Sequence, residues 1–142
     1  MVRNAVKIIV LSMLKLNEPA LNQLFMDLPF CSFFIHFALY FRDKIIEIDQ
    51  NYTAIPGSDK NKHRKFDPMF NNMEDFQDLL DYAEEIFQID NKIANEALTN
   101  ALLSYCYYPV VICSLVCIKK KPVVSLNTSF YILIHTFKNL SH

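Results

Sequence analysis

Residues 97–118 read Ala97-Leu-Thr-Asn-Ala-Leu-Leu-Ser-Tyr-Cys-Tyr-Tyr-Pro-Val-Val-Ile-Cys-Ser-Leu-Val-Cys-Ile118, a run of 22 residues without a charge that ends at Lys119-Lys120-Lys121. Its length suffices to cross a bilayer, and a basic cluster directly after it fits the positive-inside rule. The composition argues the other way. Thr99, Asn100, Ser104 and Ser114 are polar, Tyr105, Tyr107 and Tyr108 sit in the middle rather than at the edges, and Pro109 falls near the centre. The run therefore reads as part of a helix over 92–118, interrupted at Pro109 and covered on two sides by neighbouring helices, an arrangement that makes inner helices apolar all round without lipid. The alternative is a small integral membrane protein spanning at about 97–118.

Outward from this run, other segments carry helical spacing. Phe30, Phe33, Phe34, Phe37, Ala38, Phe41, Ile45 and Ile48 recur along 30–49, with Ile35 and Leu39 on the opposite side, so that helix too is apolar nearly all round until Arg42. Between Leu28 and Phe41 only 14 residues lack a charge, too few to span. Over 73–89, Phe76, Leu79, Leu80, Ala83, Ile86 and Phe87 form one stripe, and Asn72 is placed to cap it. Over 2–16 the stripe is Val2, Val6, Ile9, Val10, Met13 and Leu14, with Arg3, Lys7 and Lys15 off it. No start signal precedes Val2, which suggests a chain cut from something longer. A short helix is expected at 19–27 and a last one at 123–140, although Val123 and Val124 equally favour a strand.

The single glycine, Gly57, argues against phosphate-cradling loops and against a hairpin-rich β domain, since both need positive φ or close backbone approach. A net charge of -1 gives no long-range field for nucleic acid. Cys31, Cys106, Cys113 and Cys117 form no Cys-x-x-Cys pair and lie in apolar runs, so they read as reduced, buried thiols; lipidation or metal binding is the weaker reading. Arg3 and Lys7 precede an apolar stretch, but Lys15 interrupts it and no small-residue cleavage site follows, so 2–16 is a poor signal peptide.

Two charged features stand out. Residues 51–71, with Pro56, Gly57, Ser58, Pro68 and several asparagines, read as a solvated loop that carries Lys60, Lys62, Arg64 and Lys65. Glu74, Asp78, Asp81 and Glu85 step by four, three and four, an acidic ridge opposite the apolar stripe of 73–89. Paired carboxylates can serve as acid and base or as metal ligands, but no histidine lies among these, so a solvated face is the plainer meaning. Both clusters are candidate partner contacts. His36, His63, His135 and His142 are scattered, with His36 and His135 expected at helix packing edges, and no nucleophile–base pair is apparent, so no catalytic residue, cofactor or metal site is assigned.

The chain also resembles a known family. Residues 1–49, from MVRNAVKIIVLSMLKL through FFIHFALYFRDKIIEID, are similar to the later part of the FPL domain of the endosomal-maturation-defective family, whose vertebrate member carries a C-type lectin name. MEDFQDLLDYAEEIFQIDN and NEALTNALLSYCYYPVVICSL within 73–115, and KPVVSLNTSFYILIHTF from Lys121, resemble its next helices. The resemblance implies an all-α, armadillo- or HEAT-like solenoid fragment of about five to six helices with one long loop. Residues 1–50 would close the FPL-like domain, 51–71 form the loop, and 72–142 continue the helices. It further implies a non-enzymatic scaffold in endosomal–lysosomal or vacuolar traffic and in autophagy, including mitophagy. The partners would be proteins of that machinery, and the location cytoplasmic, peripheral to endosome, Golgi and lysosome membranes. Family members carry helices before the position of Met1 and a large region after His142, so a truncated product or an incomplete gene is expected.

Overall fold

The computed structural model describes residues 2–26, 32–53, 62–116 and 122–140, and among these every regular element is helical. In chain order they are α1 (Val2–Leu16), α2 (Pro19–Met26), α3 (Ser32–Thr53), α4 (Lys62–Phe87) and α5 (Lys92–Leu102). A π-helical segment (Leu103–Ile112), α6 (Cys113–Val116) and α7 (Leu126–Leu140) follow.

α3 lies at the centre, packed against α4, α5 and the π-helical segment, with α7 across one side; α1 rests on α4 and α2, and α2 on α5. The spacing of phenylalanines explains why α3 can do this. Phe34, Phe37, Ala38, Phe41, Ile45 and Ile48 are buried along its whole length, while Ile35 and Leu39 are half-buried on the other side. Phe41 is the hub. Its ring meets Phe76 of α4 edge-on at 4.9 Å and Tyr107 of the π-helical segment at 6.1 Å, while Phe37 meets Tyr82 at 5.7 Å. Each fully buried ring contributes about 2–3 kcal/mol of apolar burial, and the edge-on geometry adds to that.

The run 97–118 belongs, as far as Val116, to one helical rod, α5 to α6, that is long and apolar enough to cross a membrane. Leu98, Ala101, Leu102, Cys106, Tyr107, Val110 and Val111 are buried in the core. Pro109 does not end the helix. A proline ring clashes with the carbonyl four residues back in an α-helix and offers no N–H; the wider π winding from Leu103 to Ile112 accommodates both facts.

Several boundaries differ from the sequence expectations. The loop expected at 51–71 is helical at both ends: α3 continues to Thr53, and α4 starts at Lys62 and runs through Pro68, while 54–61 lie outside the described residues. The domain division at 50/51 and 71/72 therefore cuts through helices. Asn72 is not a cap but an interior residue of α4, where its Oδ1 accepts from Lys44 Nζ at 3.4 Å. Val123 and Val124 form no strand; they sit in the turn before α7, where both backbone N–H groups donate to Ser114 Oγ at 3.1 and 3.2 Å. Cys106 is buried as expected, but Cys113 is exposed, and Cys31 and Cys117 lie outside the described residues.

Candidate functional site

The acidic ridge is where the sequence placed it. Glu74, Asp78, Asp81 and Glu85 are all exposed on α4, opposite buried Phe76, Leu79, Leu80, Ala83 and Ile86. Two of its members make local contacts. Asp81 accepts from Gln77 Nε2 at 2.6 Å and from Asn139 Nδ2 of α7 at 3.2 Å, and the Asp78 backbone carbonyl accepts from Lys7 Nζ at 3.3 Å. Among the described residues no group of three His, Cys, Asp or Glu side chains is placed to hold a metal ion. Of the basic candidates, Lys60 lies outside the described residues; Lys62, Arg64 and Lys65 fall in the first turns of α4, with their side chains undescribed.

Among the described residues the histidines do not group with the acids of the ridge. His36 is exposed, its Nδ1 2.6 Å from the Ser32 carbonyl, and His135 is half-buried against the Tyr131 ring at 4.3 Å. Cys106 has no nucleophilic character, because burial pushes its thiol up to about 12. Tyr82 is likewise pushed up to about 12 by burial, then by the neighbouring Glu85 charge. Burial raises Tyr107 as well, although its hydroxyl pairs with Thr136 Oγ1 at 2.6 Å and Thr136 passes a bond on to the Ile132 carbonyl.

A junction the sequence did not single out is Lys44. Its ammonium reaches Glu47 at 2.8 Å and Asp75 at 3.1 Å, tying α3 to α4. The Glu47 bond is the main cause holding its proton more tightly than usual, against the opposing pull of burial. The signal was faint, because Asp75 is 31 residues away and sits off the acidic ridge.

α7 turns an apolar stripe outward. Its inward face carries Thr128, Ser129, Thr136 and only one fully buried large apolar side chain, Ile132. Its outward face carries Leu126, Phe130, Ile134 and Phe137, which are between 53% and 69% exposed. The spacing of four, four and three sets these four on one stripe. Beside it, between α7 and the π-helical segment, runs a nearly all-apolar groove of about 320 Å³, lined in part by Leu103, Tyr107, Tyr108, Leu133 and Phe137. α1 is similar in kind: Val10 and Leu14 are buried, but Val6 and Ile9, expected on the same stripe, face solvent with Ile8 and Leu16. What this arrangement offers is exposed apolar contact area on α7 and α1.

No protein-family model, no curated protein and no solved structure matches this chain.

Proposed function

We propose that this protein is a non-enzymatic helical scaffold or adaptor, an armadillo-like solenoid segment that acts through protein–protein contacts. Its place would be endosomal–lysosomal or vacuolar traffic and autophagy, including mitophagy, on the cytoplasmic side and peripheral to endosome, Golgi and lysosome membranes. The observation that supports binding as its work is the outward apolar face of α7, a contiguous stripe of the kind that marks interaction surfaces. The all-helical packing around α3 suits a stack in which outer helices present their faces to partners. The trafficking context rests on the FPL-domain resemblance alone. The candidate contacts at Lys60, Lys62, Arg64, Lys65, Glu74, Asp78, Asp81 and Glu85 are the charged positions such partners would meet.

The test is loss and rescue. Removing the gene product is expected to slow degradation of an endocytosed cargo, and re-expression of the wild-type chain to restore it, whereas Phe130→Lys/Ile134→Lys should not. Unchanged flux after loss would remove the trafficking reading. Carbonate extraction separates the alternative: release into the supernatant is expected, and retention would favour a bilayer span at about 97–118.

A further inference from the structure

α1, α3 and α4 leave a groove of about 290 Å³ between them, lined in part by Phe33, Phe37 and Tyr40 of α3, Leu79 and Tyr82 of α4, and Lys7 of α1. The three rings of α3 step by four and three, which sets them in one row along the helix. The described lining holds no acid and two side chains able to carry positive charge, Lys7 and His36.

Tyr82 sets this groove apart. Only 4% of it is exposed, and its hydroxyl has no hydrogen-bond partner among the described residues. A buried hydroxyl without a partner is costly, and each one in a folded chain calls for a reason. Glu85, one turn on, is near enough for its charge to help hold the proton on Tyr82, yet it accepts no bond from that hydroxyl. Over the same ring stands Lys7 Nζ, 5.0 Å from the centroid. An ammonium has three N–H groups, and Lys7 gives one to the Asp78 carbonyl at 3.3 Å, which leaves two for another acceptor. An O–H without an acceptor and a cation with open N–H groups therefore meet at one ring, and both call for an anionic oxygen.

We propose that this groove binds an apolar monocarboxylate, its carboxylate accepting from Tyr82 and Lys7 and its hydrocarbon body lying against Phe33, Phe37, Tyr40 and Leu79. One ammonium and one hydroxyl match a single carboxylate better than a doubly charged phosphate. The absence of an acid from the described lining spares the ligand a like charge inside the groove. Size narrows the class further. A cavity of about 150 Å³ takes benzene, so one about twice as large suits a ligand of about ten non-hydrogen atoms, the size of octanoate.

This site does not rest on the trafficking reading, and its test is a titration. The purified full chain is titrated with octanoate and, separately, with octan-1-ol by isothermal calorimetry, beside Tyr82→Phe and Lys7→Met. Octanoate is expected to bind the wild type saturably at one site per chain with a dissociation constant near or below about 1 mM, and octan-1-ol at least about tenfold more weakly. Tyr82→Phe keeps the ring that meets Phe37 at 5.7 Å and removes only the orphan hydroxyl, so the fold should hold while octanoate affinity falls about tenfold. Lys7→Met keeps an apolar stem of similar length over the ring and removes the charge, with a similar fall. The far-ultraviolet helix signal of both variants should match the wild type. Absence of saturable octanoate binding overturns the proposal, as does octan-1-ol binding equally well. Octanoate affinity unchanged in Tyr82→Phe overturns it too, because the ligand then sits in another groove. If Lys7→Met loses its helix signal, Tyr82→Phe and the alcohol decide alone.

Discussion

Asn91 binds in three directions through one amide. Its Oδ1 caps α5 by accepting from Ala94 N at 3.1 Å, and its Nδ2 donates to the Leu14 carbonyl at 3.3 Å and to Asn22 Oδ1 at 2.7 Å. Asn22 in turn donates to Asn17 Oδ1 at 2.8 Å, and Asn17 Nδ2 reaches the Asp90 carbonyl at 3.3 Å. Asn17 holds φ 47, a left-handed conformation that asparagine tolerates better than most residues. A chain of amides thus stitches the α1–α2 joint to the α4–α5 joint. Asn91→Ala removes a cap and orphans a nearly buried amide, and should cost about 2–3 kcal/mol, read as a lower urea midpoint at unchanged slope. A loss under about 0.5 kcal/mol would show the network to be decorative. Little of this was legible beforehand: asparagines at 17, 22 and 91 look like separate loop residues, and only the fold makes them neighbours.

Cys106 carries a residue-scale prediction about pH. Its thiol ordinarily titrates near 9.0 and is pushed up to about 12 by burial. Tyr82 moves from 10.0 to about 12 for the same main reason. Between the ordinary and the raised value the unfolded chain has released its proton while the folded chain keeps it. The unfolded state then binds fewer protons, and stability falls as pH rises, by at most about 1.4 kcal/mol per pH unit for each group. The stabilisation is whole below about pH 9 and declines from there. Unfolding midpoints should therefore drop between pH 9 and 11, and Cys106→Ala should delay the onset to the tyrosine range. Equal midpoints at pH 8 and pH 11 would contradict the burial of both groups. At neutral pH a thiol reagent should modify exposed Cys113 in the native chain and leave Cys106 untouched until denaturant is added.

At the scale of elements, periodicity revealed existence and type, and punctuation misled on boundaries. α3 and the second half of α4 follow the spacing of their apolar residues, so their cores were legible. The first turns of α4 were not, because Lys62 to Pro68 is rich in charge and ends on a proline, which reads as a breaker; yet the helix runs through it. The π winding around Pro109 was also invisible, since a proline in a helical pattern announces disruption without saying whether the helix stops or widens. The start of α7 shows how a cap can come from far away. Ser125 Oγ accepts from Thr128 N at 3.2 Å, while Asp49 of α3 accepts from Ser125 N and from Thr128 Oγ1, each at 2.8 Å. Asp49→Ala should cost about 1–2 kcal/mol and speed amide exchange at Leu126–Ser129, with α5 unaffected. Uniform acceleration across both helices would argue against a local cap.

For the whole molecule, the centre of gravity is the aromatic contact of α3, α4 and the π-helical segment at Phe41. Phe41→Ala should cost about 3–5 kcal/mol, a large share of the stability of a domain this size, and lower the melting temperature by about 10 °C or more. The candidate site was half legible at this scale. The acidic ridge could be read from its steps of four and three, because a solvated helix face needs nothing from the rest of the chain. The outward stripe of α7 could not. The hydrophobic pattern of 126–140 shows that the helix has an apolar side, but which side meets the core depends on what α3, α4 and the π-helical segment leave open.

The bond from Asp49 to Ser125 joins positions 76 residues apart, and it has a consequence in time. α3 and α4 follow one another in the chain and can pair early, whereas the first turn of α7 finds its carboxylate only once the C-terminal end of α3 is in place. α7 should therefore dock after the folding barrier is crossed. Asp49→Ala is expected to leave the refolding rate within about twofold of wild type and to speed unfolding by most of its stability loss. A newly made chain would then hold its C-terminal helix loose while the rest is already compact, which makes that helix the last piece to settle and the first to come away.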